Sequence, residues 1–183
     1  MSLSKSISRQ HIHTRSIECQ GYLREDGLWD IEGSLMDRKS YSFDNIDRGG
    51  VAAGEPIHSM VVRLTVDEDL VVREAEAFTT ASPYVICGDA NSNVPKLAGL
   101  QIGIGWRASV KKVIGRTHGC THIRDLIMGP VALTAYQSII PWRNRKSQQP
   151  PGNEPAILGT CYAYSTDGPI VERTWPQYFT GES

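Results

Sequence analysis

From Arg15 onward, apolar residues alternate with polar ones at Ile17, Cys19 and Leu23, and again at Trp29, Ile31, Gly33 and Leu35. Between the two runs stands Glu25-Asp26-Gly27, a turn signal. A period of two puts one set of side chains on one face, so this spacing predicts a β-hairpin with a single buried face. Residues 38–55 are rich in Ser, Asp, Asn and Gly and read as a polar excursion. Alternation returns at Met60, Val62, Leu64 and Val66, followed by a turn at Asp67-Glu68-Asp69 and a return strand over 71–79. Three or four antiparallel strands are therefore expected before residue 82.

After Pro83 the period changes. Residues 88–96 are irregular in composition, and the stretch 97–114 carries three glycines before ending in a helix-like run of Trp106, Val110, Val113 and Ile114. Ile123, Leu126, Ile127, Val131, Ala135 and Ile139 follow helical spacing. Pro130 lies inside that run and must kink or break it, because it lacks the backbone donor and crowds the preceding turn. Residues 143–155, with four prolines and glycines among charged and amide residues, read as a linker-like loop. Beyond it, 156–164 and 170–173 read as short strands within a C-terminal segment ending near residue 175. Residues 1–13 are polar and read as loose. Strands, then helices, then a short tail make an α+β domain: an antiparallel sheet with helices on one face, in a single domain over 1–183.

Composition narrows the classes. With 40% hydrophobic and 21% charged residues and a net charge of −1, the chain has the balance of a soluble globular protein with a sizeable core. It has neither the basic stripe of a nucleic-acid binder nor an apolar run of the roughly 18 residues that a spanning helix needs. No nucleic-acid or membrane partner is expected; a small-molecule substrate or a protein partner is, and self-association into a homo-oligomer is left open. The N-terminus lacks the apolar middle of a signal peptide, so the default compartment is the cytoplasm. Four cysteines without repeating spacing are then thiols, not bridges.

The chemistry concentrates at His118-Gly119-Cys120-Thr121-His122, at the mouth of an expected helix. Thiolate and imidazole together suit zinc or iron, whereas calcium and magnesium want oxygen. His58, opening a strand, and Cys87, ending an apolar segment, should come to the same end of the sheet if the two strands of 60–79 pair. The candidate metal ligands are thus His58, Cys87, Cys120 and His122, with Cys161 as a substitute. Cys120 and His122 are also the candidate catalytic residues, since a helix start favours a thiolate and a neighbouring imidazole can serve as its base. Cys19 reads as core and His118 as solvent-facing. Asp26, Asp30, Asp37, Asp67 and Asp69 read as turn and strand-end residues. The glycine-rich stretch 99–106 fits neither phosphate-loop nor dinucleotide spacing.

Two resemblances follow from these residues. Asp26-Gly27-Leu28-Trp29-Asp30-Ile31-Glu32-Gly33, with Pro56-Ile57-His58-Ser59-Met60 and Gly119-Cys120-Thr121-His122, resembles a family of bacterial proteins catalogued as a domain of unknown function, over about 15–175. The order of candidate ligands is similar to that of iron–sulfur scaffold proteins of the NifU/IscU type. This likeness implies a SufE/NifU-like core with an extra N-terminal hairpin. By position, His58 stands where those proteins have their first Cys, Met60 where they have Asp, Cys87 at the second Cys, Cys120 at the third, and His118 near a neighbouring His. The His for Cys and Met for Asp imply a mononuclear zinc or iron site more than a transferable cluster. The readings are a metal-binding protein, an enzyme using the metal as Lewis acid, a metal or cluster scaffold, and a cysteine-nucleophile enzyme without metal.

Overall fold

A computed structural model of the chain describes residues 3–146, 155 and 157–181. The chain divides into two compact units, 1–143 and 144–183. The first holds four strands, β1 (His13–Leu23), β2 (Trp29–Lys39), β3 (Pro56–Val66) and β4 (Val72–Ala81), in one antiparallel sheet of order β1-β2-β3-β4. Each is joined to the next in sequence, as the alternating runs and turn signals predict. Asp67 closes the β3–β4 turn by accepting from the backbone N–H groups of Asp69 and Val71, and Asp26 does the same for Leu28 in the first hairpin. Most of the polar stretch after β2 is irregular and carries only an isolated bridge between Phe43 and Val51.

Helices cover one face. α1 (Trp106–Ile114) and α2 (Thr121–Leu126) lead through a π-turn (Ile127–Val131) into α3 (Ala132–Lys146). The run around Pro130 accordingly stays helical in course but widens by one residue per turn where the proline removes a donor, which is the way a π-bulge accommodates such a residue. Against this layer the sheet presents Ile31, Leu35, Met60, Val62 and Leu64, all buried, and the helices answer with Val110, Ile114, Ile123, Leu126, Ile127, Val131, Ala135 and Ile139. Before them, Val85–Leu97 forms a run of 3-10 turns that buries Val94 and Leu97, over the stretch whose composition reads as irregular.

One cross-strand row sets how closely the helices approach. Cys19, Gly33, Val62 and Ala77 are register partners across the four strands. Their small side chains form a depression under the π-turn. A Cβ at Gly33 would lie 2.5 Å from Val131 Cγ2, inside van der Waals contact. At Gly21, one row further on, it would lie 2.2 Å from Ser138 Oγ. Glycine is needed at 33 for close approach, not for backbone freedom.

In the second unit the expected strands are replaced by helical turns: a 3-10 turn at Tyr162–Tyr164 and α4 (Pro169–Thr174). The reason is local. Pro169 takes the first helical position, where its fixed φ suits the helix and its missing N–H is not used. Ile170 and Val171 are β-branched, yet only Val171 is buried. The linker-like loop coincides at its start with the end of α3, and 147–154 and 156 lie outside the described residues. Residues 3–12 are exposed and without regular structure, while His13 already belongs to β1. Among the described residues no helix is long and apolar enough to cross a membrane.

The row at Gly33 yields a test. Gly33→Val raises β-propensity but forces Val131 outward, and should lower unfolding stability by about 1–3 kcal/mol. Urea denaturation with an unchanged or higher midpoint would contradict the close-packing account.

Candidate functional site

Asp37 continues the in-facing series Trp29, Ile31, Gly33, Leu35 by one more step of two. Its register partners are Arg15 on β1 and His58 on β3. These three residues are therefore the last row of the sheet's helix-covered face, where the apolar core gives way to polar side chains. The β2–β3 pairing shifts register between Asp37 and Arg38, a position where bulges re-aim side chains. From the other layer comes His122, second residue of α2. Gly119 lets that helix start close to α1: a Cβ at this position would lie 2.5 Å from the Ile114 carbonyl oxygen.

The carboxylate of Asp37 is 1% exposed and fully engaged. Arg15 donates to it in a fork, Nε to Oδ1 and Nη2 to Oδ2, both at 2.7 Å. His58 Nδ1 donates to Oδ2 at 3.0 Å and His13 Nε2 to Oδ1 at 3.2 Å, the tautomers following from an acceptor that is ionised. His122 Nε2 lies 3.9 Å from Oδ2. The rings of His58 and His122 face each other at 3.9 Å between centroids with a 35° tilt. On the far side of His122, Cys120 Sγ lies 3.7 Å from Nδ1.

Burial pushes the Asp37 carboxyl up, but hydrogen bonding and charge from Arg15, with His13 and His58, prevail and hold its pKa at about 2. Both facing histidines are lowered from 6.5. For His58, burial is the main cause, opposed by its bond to Asp37 and reinforced by the charges of Arg15 and His13. For His122, burial comes first, then the charge of His58 and of Arg15. Neutral imidazole is the form that accepts a metal or a proton.

Of the residues expected from sequence, His58 and His122 are brought together, with Cys120 beside His122. Asp37, His58 and His122 each offer one ligand atom within 4.8 Å of the other two. Among the described residues, Cys87, Cys120 and Cys161 belong to no such group. Cys87 is half-buried in the 3-10 run, and Cys161 is exposed in the second unit. Cys19 is half-buried against the core, its thiol pushed up by burial.

Sequence reasoning missed Asp37, Arg15 and His13. Asp26 and Asp67 do serve turns, and Asp30 accepts from Thr65 Oγ1 at 2.7 Å. Asp37 differs because it lies on the buried face, and its in-phase spacing with Leu35 is the signal that could have found it. Arg15, two residues before Ile17, and His58, two before Met60, stand in phase with the same face.

The electrostatics predict an acid-labile fold of definite sign. Asp37 has a folded pKa of about 2 against 3.8 unfolded. Its contribution, about 2 kcal/mol, is present above pH 4 and lost as pH falls through about 2. The histidines, lowered from 6.5, act in the same direction in a higher window, because below about 6.5 the unfolded chain takes up protons that the folded one refuses. Denaturant titrations from pH 8 to 2 should show stability falling in both windows. Stability that rises on acidification from pH 7 to 5 would contradict this assignment.

No curated protein and no solved structure matches the chain, and the likeness to iron–sulfur scaffolds remains one of residue order. A family model matches residues 13–137, which take in His13, Arg15, Asp37, His58, Cys120 and His122. The chain belongs to the family described as "Protein of unknown function (DUF2889)".

Proposed function

We propose that the protein binds one divalent transition-metal ion, zinc or ferrous iron, through Asp37, His58 and His122. The observation that carries this reading is the juxtaposition of one carboxylate oxygen with two imidazole nitrogens at the end of the sheet. An ion about 2.0–2.1 Å from each ligand holds neighbouring ligand atoms about 2.9–3.4 Å apart in octahedral or tetrahedral geometry. The separations from Asp37 Oδ2 of 3.0 Å to His58 Nδ1 and 3.9 Å to His122 Nε2 need only a small adjustment. On this reading His58, whose ring proton sits on Nδ1 toward Asp37, would shift to the Nε2–H tautomer, leaving Nδ1 free to bind the ion.

Two imidazoles and a carboxylate suit ferrous iron or zinc and leave positions open, as a Lewis-acid site does. An ion held by these residues would supply Lewis-acid chemistry toward a small molecule. The chain's own residues supply the frame. Arg15 holds both carboxylate oxygens of Asp37 and His13 holds Oδ1, and Cys120 faces the ring nitrogen of His122 turned away from Asp37. An iron–sulfur cluster would call for thiolates, which this three-residue set does not include.

A second reading rests on a different contact. Cys120 Sγ, His122 and Asp37 stand in the order nucleophile, base, orienting carboxylate, with the thiol 3.7 Å from Nδ1 and the carboxylate 3.9 Å from Nε2. It needs no metal and makes Cys120, not Asp37, the residue whose loss abolishes activity.

The two readings separate on variants. Protein purified from metal-supplemented medium should carry about one equivalent of zinc or iron by elemental analysis. His58→Ala and His122→Ala should each lose most of it, and Cys120→Ser should keep it. Folded protein that takes up neither ion would overturn the metal reading. Rapid alkylation of Cys120, slowed severalfold in His122→Ala and unchanged by added zinc, would favour the thiol.

A further inference from the structure

β1 is an edge strand of unusual openness. It pairs with β2 over all eleven of its residues without a register shift, so neither a bulge nor a break twists it away. Within His13–Leu23 there is no proline and no lysine, the residues that commonly blunt such an edge. Among the described residues, no backbone hydrogen bond reaches its outer side. The opposite edge is occupied at its start. Val72 of β4 donates to the Leu100 carbonyl and accepts from Gly99, Val71 bridges to Gln101, and the pairing of β3 with β4 carries two register shifts. One edge of the sheet is held at its start by residues 99–101 and the other is left as a template.

We propose that β1 pairs antiparallel with β1 of a second copy of this chain, about a two-fold axis at Ile17, joining two four-stranded sheets into one. The choice of occupant comes from the strand's own side chains. Ile17, Tyr22 and Leu23 on the strand and Ile12, one residue before it and still bonded through its carbonyl to Ser40, are its large apolar residues, each 41–47% exposed. A two-fold axis normal to the sheet keeps each face with its like, so residue pairs must have even sums. With the axis at Ile17, Ile17 meets its own copy; with the pairing carried two residues past the start of β1, Ile12 meets Tyr22 and Leu23 meets His11. Ser16 meets Glu18, Thr14 meets Gln20, and Arg15 meets Cys19. All four apolar residues thereby gain a partner side chain, and no like charges stand opposite. Moving the axis to Glu18 sets that carboxylate against its copy. Moving it to Ser16 leaves Ile17 opposite Arg15 and Ile12 opposite Gln20. The cross-strand pair is the unit that stabilises a sheet, and one register satisfies it best. A two-fold contact uses the β1 edge of both chains at once, so it closes at two chains.

This pairing does not depend on a metal. It would run the partner's strand along the outer side of Arg15 and His13, the two residues that hold Asp37 from β1.

Sedimentation equilibrium at micromolar protein should give twice the 20.2 kDa chain mass. Ile17→Lys, which sets two ammonium groups against each other on the axis, should weaken dimerisation at least tenfold with the circular dichroism of the folded chain retained. Should Ile17→Lys fail to fold, Ile17→Cys decides: in a Cys161→Ser background it should form an intermolecular disulfide on mild oxidation. Opposed Cα atoms in an antiparallel pair lie about 4.5–5.5 Å apart, within disulfide range. Cys161→Ser alone should not cross-link, since Cys19 stands opposite Arg15 and not its own copy. A monomeric wild-type chain overturns the proposal. So does open-ended assembly, a dimer indifferent to Ile17→Lys, or the absence of the Ile17→Cys cross-link.

Discussion

A carboxylate with almost no solvent exposure cannot stay ionised unless charge and hydrogen bonds replace the water it loses. Asp37 is in that position, and the fork from Arg15, with His13 and His58, supplies the replacement. The polar end of the sheet depends on this interaction. It ties β1 to β2 at the row of Arg15 and Asp37, fixes the tautomer of His58, and sets a negative charge beside two neutral imidazoles. Removing Arg15 would leave a buried charge facing two rings already reluctant to protonate. Removing Asp37 would leave a guanidinium and three imidazoles with no counter-charge at their centre.

The site is built as a continuation of the core and not as an addition to it. The same period of two that aims Ile31, Gly33 and Leu35 at the helices aims Asp37 there too. The same register that sets Met60 opposite Leu35 sets His58 opposite Asp37. α2 then lowers His122 onto this row because Gly119 and the small row at Gly33 let the helical layer come close. Packing precision in the core is thereby passed to the side chains that carry the chemistry, which is where such precision matters most.

Much of the fold was legible because alternation is a direct print of a half-buried strand. The β1–β2 hairpin, the β3–β4 hairpin and the helical run through Pro130 all follow from spacing. Ile170-Val171 misled, since β-branching suggests a strand while the preceding proline starts a helix. At the site, His58, Cys120 and His122 stood out as scarce residue types near one expected sheet end. Asp37 did not, because aspartate at a strand end is ordinary and its in-phase position carries meaning only once Arg15 and His58 are known to flank it. Cys161 drew attention through scarcity and Cys87 through the expected sheet end, but among the described residues neither lies within ligand distance of His58 and His122.

X-ray absorption at the metal edge of the loaded protein tests the central claim most directly, because it reads ligand atoms and not stoichiometry. Asp37, His58 and His122 predict a first shell of nitrogen and oxygen at about 2.0–2.1 Å with the outer scattering of two imidazoles, and no sulfur. A sulfur shell at about 2.3 Å would place thiolates on the ion and contradict the account.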